Sequence, residues 1–222
     1  MGKIMDDLGD ERARGRPLRA DAARNRGQIL RATVELVVEH GPTVPMEAIA
    51  RQAGVGVATL YRHFPDRATL YSQAQLEVLR LAADEADAAL REERDAFAAL
   101  ARYMHRAVDL RVSAVMPLLN EHVPDDRLVE AARRRGLDAI DRLVARAHRE
   151  RAIRPEVSSG DIALLIIRVS RPIPGVPAAD NHRLSHRHLE LLLDGFVHFL
   201  GADRLPGPAV TLEELGPVPD GP

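Results

Sequence analysis

The sequence predicts an all-α protein, and three observations carry that prediction. Apolar residues recur at helical spacing through most of the 222 residues. No stretch shows the sustained two-residue alternation of a half-buried strand, and the breaks between periodic segments fall at Gly and Pro. At 45% apolar and 29% charged residues the composition suits a soluble globular chain with a sizeable core. No apolar run approaches the ~20 residues that span a bilayer, and the N-terminus lacks the apolar core of a signal peptide, so no membrane is expected and the expected location is cytoplasmic. The chain has no cysteine, which excludes disulfides, thiolate catalysis and cysteine-ligated metals.

Taken in order, Ile29, Leu30, Val34, Val37 and Val38 define a first helix that Gly41-Pro42 stops. A short second helix spans about Met46 to Ala53, and a third spans about Val57 to Phe64. Pro65 then breaks the chain, and Asp66 caps a long helix beginning at Arg67. Longer amphipathic segments follow at about 93–111, 127–149, 161–171 and 185–200, separated by Pro117, Pro124, Pro155 and the cluster Pro172, Pro174, Pro177. The paired carboxylates Asp125 and Asp126 are expected in a loop and helix start, where capping explains them. The last two segments are apolar on more than one face, through Ile162, Leu164, Leu165, Ile166, Ile167 and Val169, then Leu189, Leu192, Leu193, Phe196, Phe199 and Leu200. Such helices need cover on several sides, from their own domain or from a second subunit. The expected organisation is a flexible Arg-rich arm over 1–21, a compact domain over 22–81, a larger helical domain over 82–200 and a Pro/Gly-rich tail over 201–222.

Net charge is only -2, but its distribution is uneven. Between Glu11 and Arg31, seven arginines face two acids, a local balance of +5 that could neutralise phosphates. Arg is also abundant elsewhere, as at Arg133, Arg134 and Arg135, so the cluster by itself does not decide the matter.

The most informative stretch lies between Pro45 and Phe64. Ala50, Gly54 and Leu60 stand at offsets of 0, +4 and +10, the spacing of a helix-turn-helix. A small residue at 50 lets two helices approach, Gly54 supplies the positive φ of a tight turn, and Leu60 anchors the second helix inward. Val57, Ala58, Thr59, Tyr61, Arg62 and His63 are left near the outer face of that helix. Small groups at its start suit a DNA major groove, whereas Tyr61, Arg62, His63 and Arg67 suit phosphates. A phosphate-loop alternative fails, because Gly54-Val55-Gly56-Val57 lacks the GxxxxGK[ST] spacing and follows a helix rather than a strand.

At these residues the sequence resembles the tetracycline-repressor (TetR) family of bacterial transcription regulators. The resemblance rests on RGQILRATVELVVEHG and MEAIARQAGVGVATLYRHFPDRATL and covers about Ala22 to Leu81. It implies a three-helix DNA-binding domain joined through a long helix to a larger helical domain for ligand binding and dimerisation. It also implies that the helix from Val57 enters the major groove, that Tyr61 meets the DNA backbone and that Arg67 touches phosphate. Pro45 departs from the family's usual Ser or Thr at the start of the second helix; it fits a first helical turn but offers no hydroxyl to a phosphate.

The expected function is therefore a DNA-binding regulator, in the first instance a repressor that binds a palindromic operator in double-stranded DNA as a homodimer and is released by a small-molecule effector. Helices at about 161–171 and 185–200 would form the dimer. Met104, His105, Val108, Met116, Leu119, His122 and Arg168 interrupt apolar faces with adaptable or polar groups and are the expected effector-pocket lining. His182, His186 and His188 suggest a metal, but His182 falls in a Pro-rich linker and no well-spaced partner completes the set, so solvated or interface histidines are expected and neither metal nor cofactor. No G-x-S-x-G or other catalytic pattern is present, so an enzyme is not expected. Two alternatives remain: a helical ligand-binding or catalytic protein with a vestigial helix-turn-helix, and an interaction module whose apolar C-terminal helices dock a different protein.

Overall fold

A computed structural model describes residues 7–120, 126–197 and 209–211. Among the described residues there are nine helices and no strand. They form two compact units, Met1–Ala74 and Gln75–Pro222, and the division falls inside the fourth helix.

The first unit holds α1 (Asp7–His40), α2 (Met46–Gln52), α3 (Val57–His63) and the start of α4 (Arg67–Glu92). Helix α1 runs back to Asp7, through the stretch expected to be a flexible arm. The run from Leu18 to Arg24 is mainly Leu, Arg and Ala, strong helix formers that extend a helix anchored by buried Ile29, Leu30 and Val37. Two glycines punctuate the unit. Gly41 ends α1 at φ +82°, and Gly54 turns the chain at φ +69° between α2 and α3. Both lie in the left-handed region that a side chain disfavours. At the second turn the Val55 N–H donates to the Ala50 carbonyl at 3.0 Å. Pro45 does not enter the first turn of α2: it is the extended N-cap residue, and its carbonyl accepts from Ala48 and Ile49. Asp66 caps α4 as expected, its Oδ1 accepting from the Thr69 N–H at 2.7 Å. That bond holds the Asp66 carboxyl below the usual carboxylate range.

Helices α2 and α3 have seven residues each, too short to persist by their own backbone bonds. They exist because they pack on α1 and on each other, with Ile49, Leu60 and Phe64 buried, as are Ile29, Leu30, Leu70 and Tyr71 of the same unit.

The second unit holds the rest of α4, then α5 (Ala96–Asp109), α6 (Val112–Asn120), α7 (Arg127–Arg149), α8 (Ser159–Ser170) and α9 (Ala178–Val197). Helix α5 sits at its centre, in contact with α6, α7, α8 and α9. Its buried face of Ala99, Leu100, Tyr103, Met104, Ala107 and Val108 meets Ile140 and Leu143 of α7, Ile162 and Ile166 of α8, and Leu189 and Leu193 of α9. Helix ends are closed by side chains from elsewhere. Arg146 of α7 donates to the carbonyls of Leu90, Glu93 and Arg94 at 2.9–3.1 Å, satisfying the C-terminal end of α4. Asp95 caps α5, Asp126 caps α7, and Ser158 with Asp161 forms a capping box on α8. The Ser158 hydroxyl also donates to the carbonyl of Val210, so the described part of the tail lies against the start of α8.

Two elements differ from the expectation. Pro117 does not separate helices but lies inside α6, where it forfeits one backbone bond in a helix of nine residues. Helix α9 begins at Ala178, well before residue 185. Pro177 precedes it, and the Pro177 carbonyl accepts from the Asn181 N–H at 2.9 Å; proline is tolerated at a helix start, where no N–H is needed. His182 is therefore helical rather than part of a linker. Phe199 and Leu200 lie outside the described residues. No helix is long and apolar enough to cross a membrane, among the described residues.

Leu60 is fully buried in the small first unit. Replacing it with Ala should cost ~2–5 kcal/mol in urea denaturation, whereas Leu128→Ala, at a side chain 65% exposed, should change stability by less than ~0.5 kcal/mol.

Candidate nucleic-acid interface

The outward surface of α3 follows from the residues that hold it down. At ~100° per residue, Val57, Tyr61, Ala58 and Arg62 fall within about 140° of arc, Leu60 and His63 lie on the far side, and Phe64 follows as the extended C-cap residue. The first four are exposed, with Val57 at 38% and Tyr61 at 43%, while Leu60 and Phe64 are buried. Thr59 is half-buried, between the two faces. The exposed arc thus offers two small apolar groups, a phenol and a guanidinium, the mix that meets thymine methyls and phosphates together.

Two of the expected contact residues are placed differently. His63 is half-buried, its ring 6.2 Å from that of Phe64 and its Nε2 buried without a hydrogen-bond partner. It belongs to the edge of the core rather than to the outer face. Arg67 is turned inward: its Nη1 donates to the Pro42 carbonyl at 2.9 Å, to the Val44 carbonyl at 2.6 Å and to the Tyr71 hydroxyl at 2.9 Å. The Tyr71 hydroxyl donates in turn to the Pro42 carbonyl at 2.6 Å. Arg67 therefore ties the first turn of α4 to the α1–α2 connection, whose carbonyls at Pro42 and Val44 have no helical ladder to supply donors. Nothing in the sequence marks those carbonyls as its partners.

The arginines before α2 are also partly committed. Arg26 lies over the Phe64 ring at 5.9 Å and donates to Gln73 Oε1 at 2.6 Å. Arg24 pairs with Asp21. Arg31 is exposed.

In the second unit the expected pocket residues separate. Met104, Val108 and Leu119 are buried, Met116 is half-buried, and His122 lies outside the described residues. Arg168 is exposed and lines a cleft of about 450 Å³ between α8 and α9, together with Leu164, Leu165, Leu191 and Leu192. His105 faces α9: its Nδ1 lies 2.7 Å from His186 Nδ1, and its Nε2 is 2.9 Å from Glu190 Oε1. His182 and His186 meet Asp109 there, and His188 is exposed outside the group. The sequence reading missed Asp109. The available signal was the i, i+4 spacing of His105 with Asp109 and of His182, His186 and Glu190, which aligns each set on one helix face.

Comparisons with known proteins bear on the family and the fold. Residues 29–74 match the family model described as bacterial regulatory proteins of the tetR family. Residues 95–198 match the model described as the C-terminal domain of SbtR-like transcriptional regulators. Among solved structures, a TetR transcription regulatory protein from Mycobacterium vanbaalenii is 29% identical, with a TM-score of 0.60, over 82% of this chain and 100% of that one. A TetR transcriptional regulator from Streptomyces coelicolor is 26% identical, with a TM-score of 0.60, over 78% and 98%. The TetR-like regulator LfrR from Mycobacterium smegmatis, solved with proflavine, shares the fold at 22% identity and a TM-score of 0.56, over 80% and 99%. A search of curated proteins found no match.

Arg67→Ala leaves two backbone carbonyls and the Tyr71 hydroxyl without their charged donor. It should cost ~1–3 kcal/mol in denaturant unfolding, and Arg67→Lys should recover only part of it, since an ammonium lacks the planar fork.

Proposed function

The chain belongs to the TetR family of bacterial transcription regulators, a DNA-binding class, and from that premise we propose that it acts as a homodimeric repressor of a palindromic operator. The observation that carries the proposal is the exposed arc of α3, where Val57, Ala58, Tyr61 and Arg62 stand outside a helix whose other side is buried. Val57 and Ala58 read methyl groups and groove shape, with Thr59 at the edge of the same face. Tyr61 and Arg62 fix the register on the backbone, as polar contacts to phosphate do. His63 and Arg67 support that helix and the next from inside.

A dimer places one α3 in each half-site. For two major grooves on one face of B-DNA the half-sites lie ~34 Å apart, so subunit symmetry sets operator symmetry. Support for pairing through α8 and α9 comes from Ile167 and Leu191, exposed at 36% and 64% on helices already apolar inside. Apolar surface of this kind is stabilised by covering it. The small-molecule effector is assigned to the second unit, where α5, carrying Met104 and Val108, is in contact with α6, carrying Met116 and Leu119. It would release DNA by favouring one of two states, for which ~1–3 kcal/mol of differential binding suffices.

Selection of bound duplexes from random DNA tests the proposal. The expected result is an inverted repeat retained at low salt and lost as salt rises. If no duplex shows salt-sensitive retention, the DNA-binding role fails. On the selected site, Arg62→Ala should lower the slope of log affinity against log salt by ~1. Tyr61→Phe should weaken all sequences alike with the slope unchanged, and substitutions at Val57 should change which sequence is preferred.

A further inference from the structure

Three side-chain atoms converge where α5 and α9 pack. Asp109 Oδ1 lies 2.9 Å from His182 Nε2 and 2.9 Å from His186 Nε2, and the two nitrogens are 3.2 Å apart. With the Asp109 carboxylate ionised, no placement of protons satisfies this triangle. At each edge one atom must donate and the other accept, and among three atoms two always share a role. One edge is therefore left as donor against donor or as acceptor against acceptor. A cation at the centre removes the conflict, because all three atoms then act as acceptors.

Neighbouring contacts orient one ring for that purpose. Glu190 Oε1 lies 2.9 Å from His105 Nε2, and His105 Nδ1 lies 2.7 Å from His186 Nδ1. In neutral rings, His105 donates from Nε2 to the Glu190 carboxylate, so its Nδ1 accepts, and His186 donates from its own Nδ1. The lone pair of His186 Nε2 then points at Asp109 and His182. A carboxylate acting through a hydrogen-bonded chain to set the tautomer of a ligating imidazole is the outer-shell arrangement of protein metal sites.

The dimensions also fit. The circle through the three atoms has a radius of about 1.7 Å, less than the ~2.0–2.2 Å of a Zn–N or Zn–O bond. An ion seated ~1 Å off their plane would meet all three at bonding distance. Two imidazoles and one carboxylate suit a first-row divalent cation rather than Mg²⁺ or Ca²⁺, whose ligands are oxygens. His182 and Asp109 are half-exposed or nearly so, with side chains 50% and 36% accessible, so solvent reaches the site and can supply a further ligand.

We propose that Asp109, His182 and His186 form a site for a divalent transition-metal ion of the Zn²⁺ type, with His105 and Glu190 as its positioning residues. Three protein ligands leave the fourth tetrahedral position to water or to a donor atom of a small molecule. Occupancy joins α5 to the first turns of α9. The site stands independently of the DNA-binding proposal.

The test uses the full chain stripped with a chelator and titrated with Zn²⁺ in competition with a chromophoric chelator. The expected result is one Zn²⁺ per chain and a Tm that rises with Zn²⁺. His182→Ala and Asp109→Asn, both at accessible positions, should each weaken binding by more than ~100-fold, and Glu190→Gln by ~10–100-fold. His188→Ala should bind as the parent does. Thermal unfolding in chelator checks that each variant is folded. Less than one ion per chain would overturn the proposal. So would parent-like affinity in both Asp109→Asn and Glu190→Gln, because the ion would then be held only by the surface pair His182 and His186.

Discussion

Burial of Leu60 and Phe64 is the constraint on which the reading surface depends. A seven-residue helix gains too little from its own hydrogen bonds to persist, so α3 has a defined orientation only while those two side chains are held in the core with Ile29, Ile49, Leu70 and Tyr71. Once Leu60 points inward, the 3.6-residue period leaves no choice about Val57, Ala58, Tyr61 and Arg62. Contact chemistry and packing are two faces of one helix, and Gly54 at φ +69° is the hinge that brings α3 onto α2 at the needed angle.

Polar groups secure what the small core cannot. Arg67 gathers the carbonyls of Pro42 and Val44, and the Tyr71 hydroxyl adds a second donor to Pro42. In the second unit Arg146 does the same for the end of α4, and Arg135 and Arg142 of α7 pair with Asp84 and Asp87 of α4. Partial burial opposes ionisation of Asp87, but Arg142 and Arg135 outweigh it and hold the carboxyl below the ordinary range. These pairs are substantially exposed, so each is worth little in isolation. They fix the register of α7 on α4 rather than the stability of the unit. The Asp109–His182–His186 group differs, because with Asp109 ionised its three atoms cannot all be paired by protons.

Much of the first unit was legible because its signals are local. The turn glycine, Leu60 as anchor and Asp66 as cap can each be read from a handful of neighbouring residues, and TetR-type regulation follows from the same stretch. Errors arose where a residue's partner is distant in sequence or a proline was over-read. Pro117 reads as a separator, yet it is carried inside α6, whereas Pro172, Pro174 and Pro177 do lie between α8 and α9. Arg67 looked like a phosphate ligand because a basic residue at a helix start has that chemistry. Its partners lie more than twenty residues upstream and are backbone atoms that have no sequence identity.

By itself, the sequence determined the all-α class, the helix-turn-helix and, of the six residues expected near the outer face, the four that are exposed, Val57, Ala58, Tyr61 and Arg62, since helical period and turn chemistry act over a few residues. Tertiary structure decided which polar side chains are committed to the fold: His63 at the core edge, Arg67 on the carbonyls of Pro42 and Val44, and His105 and Asp109 against α9. The physical reason is that helix faces are periodic and can be counted, whereas the packing of α5 against α9 brings together residues more than seventy positions apart, and no local rule encodes that meeting.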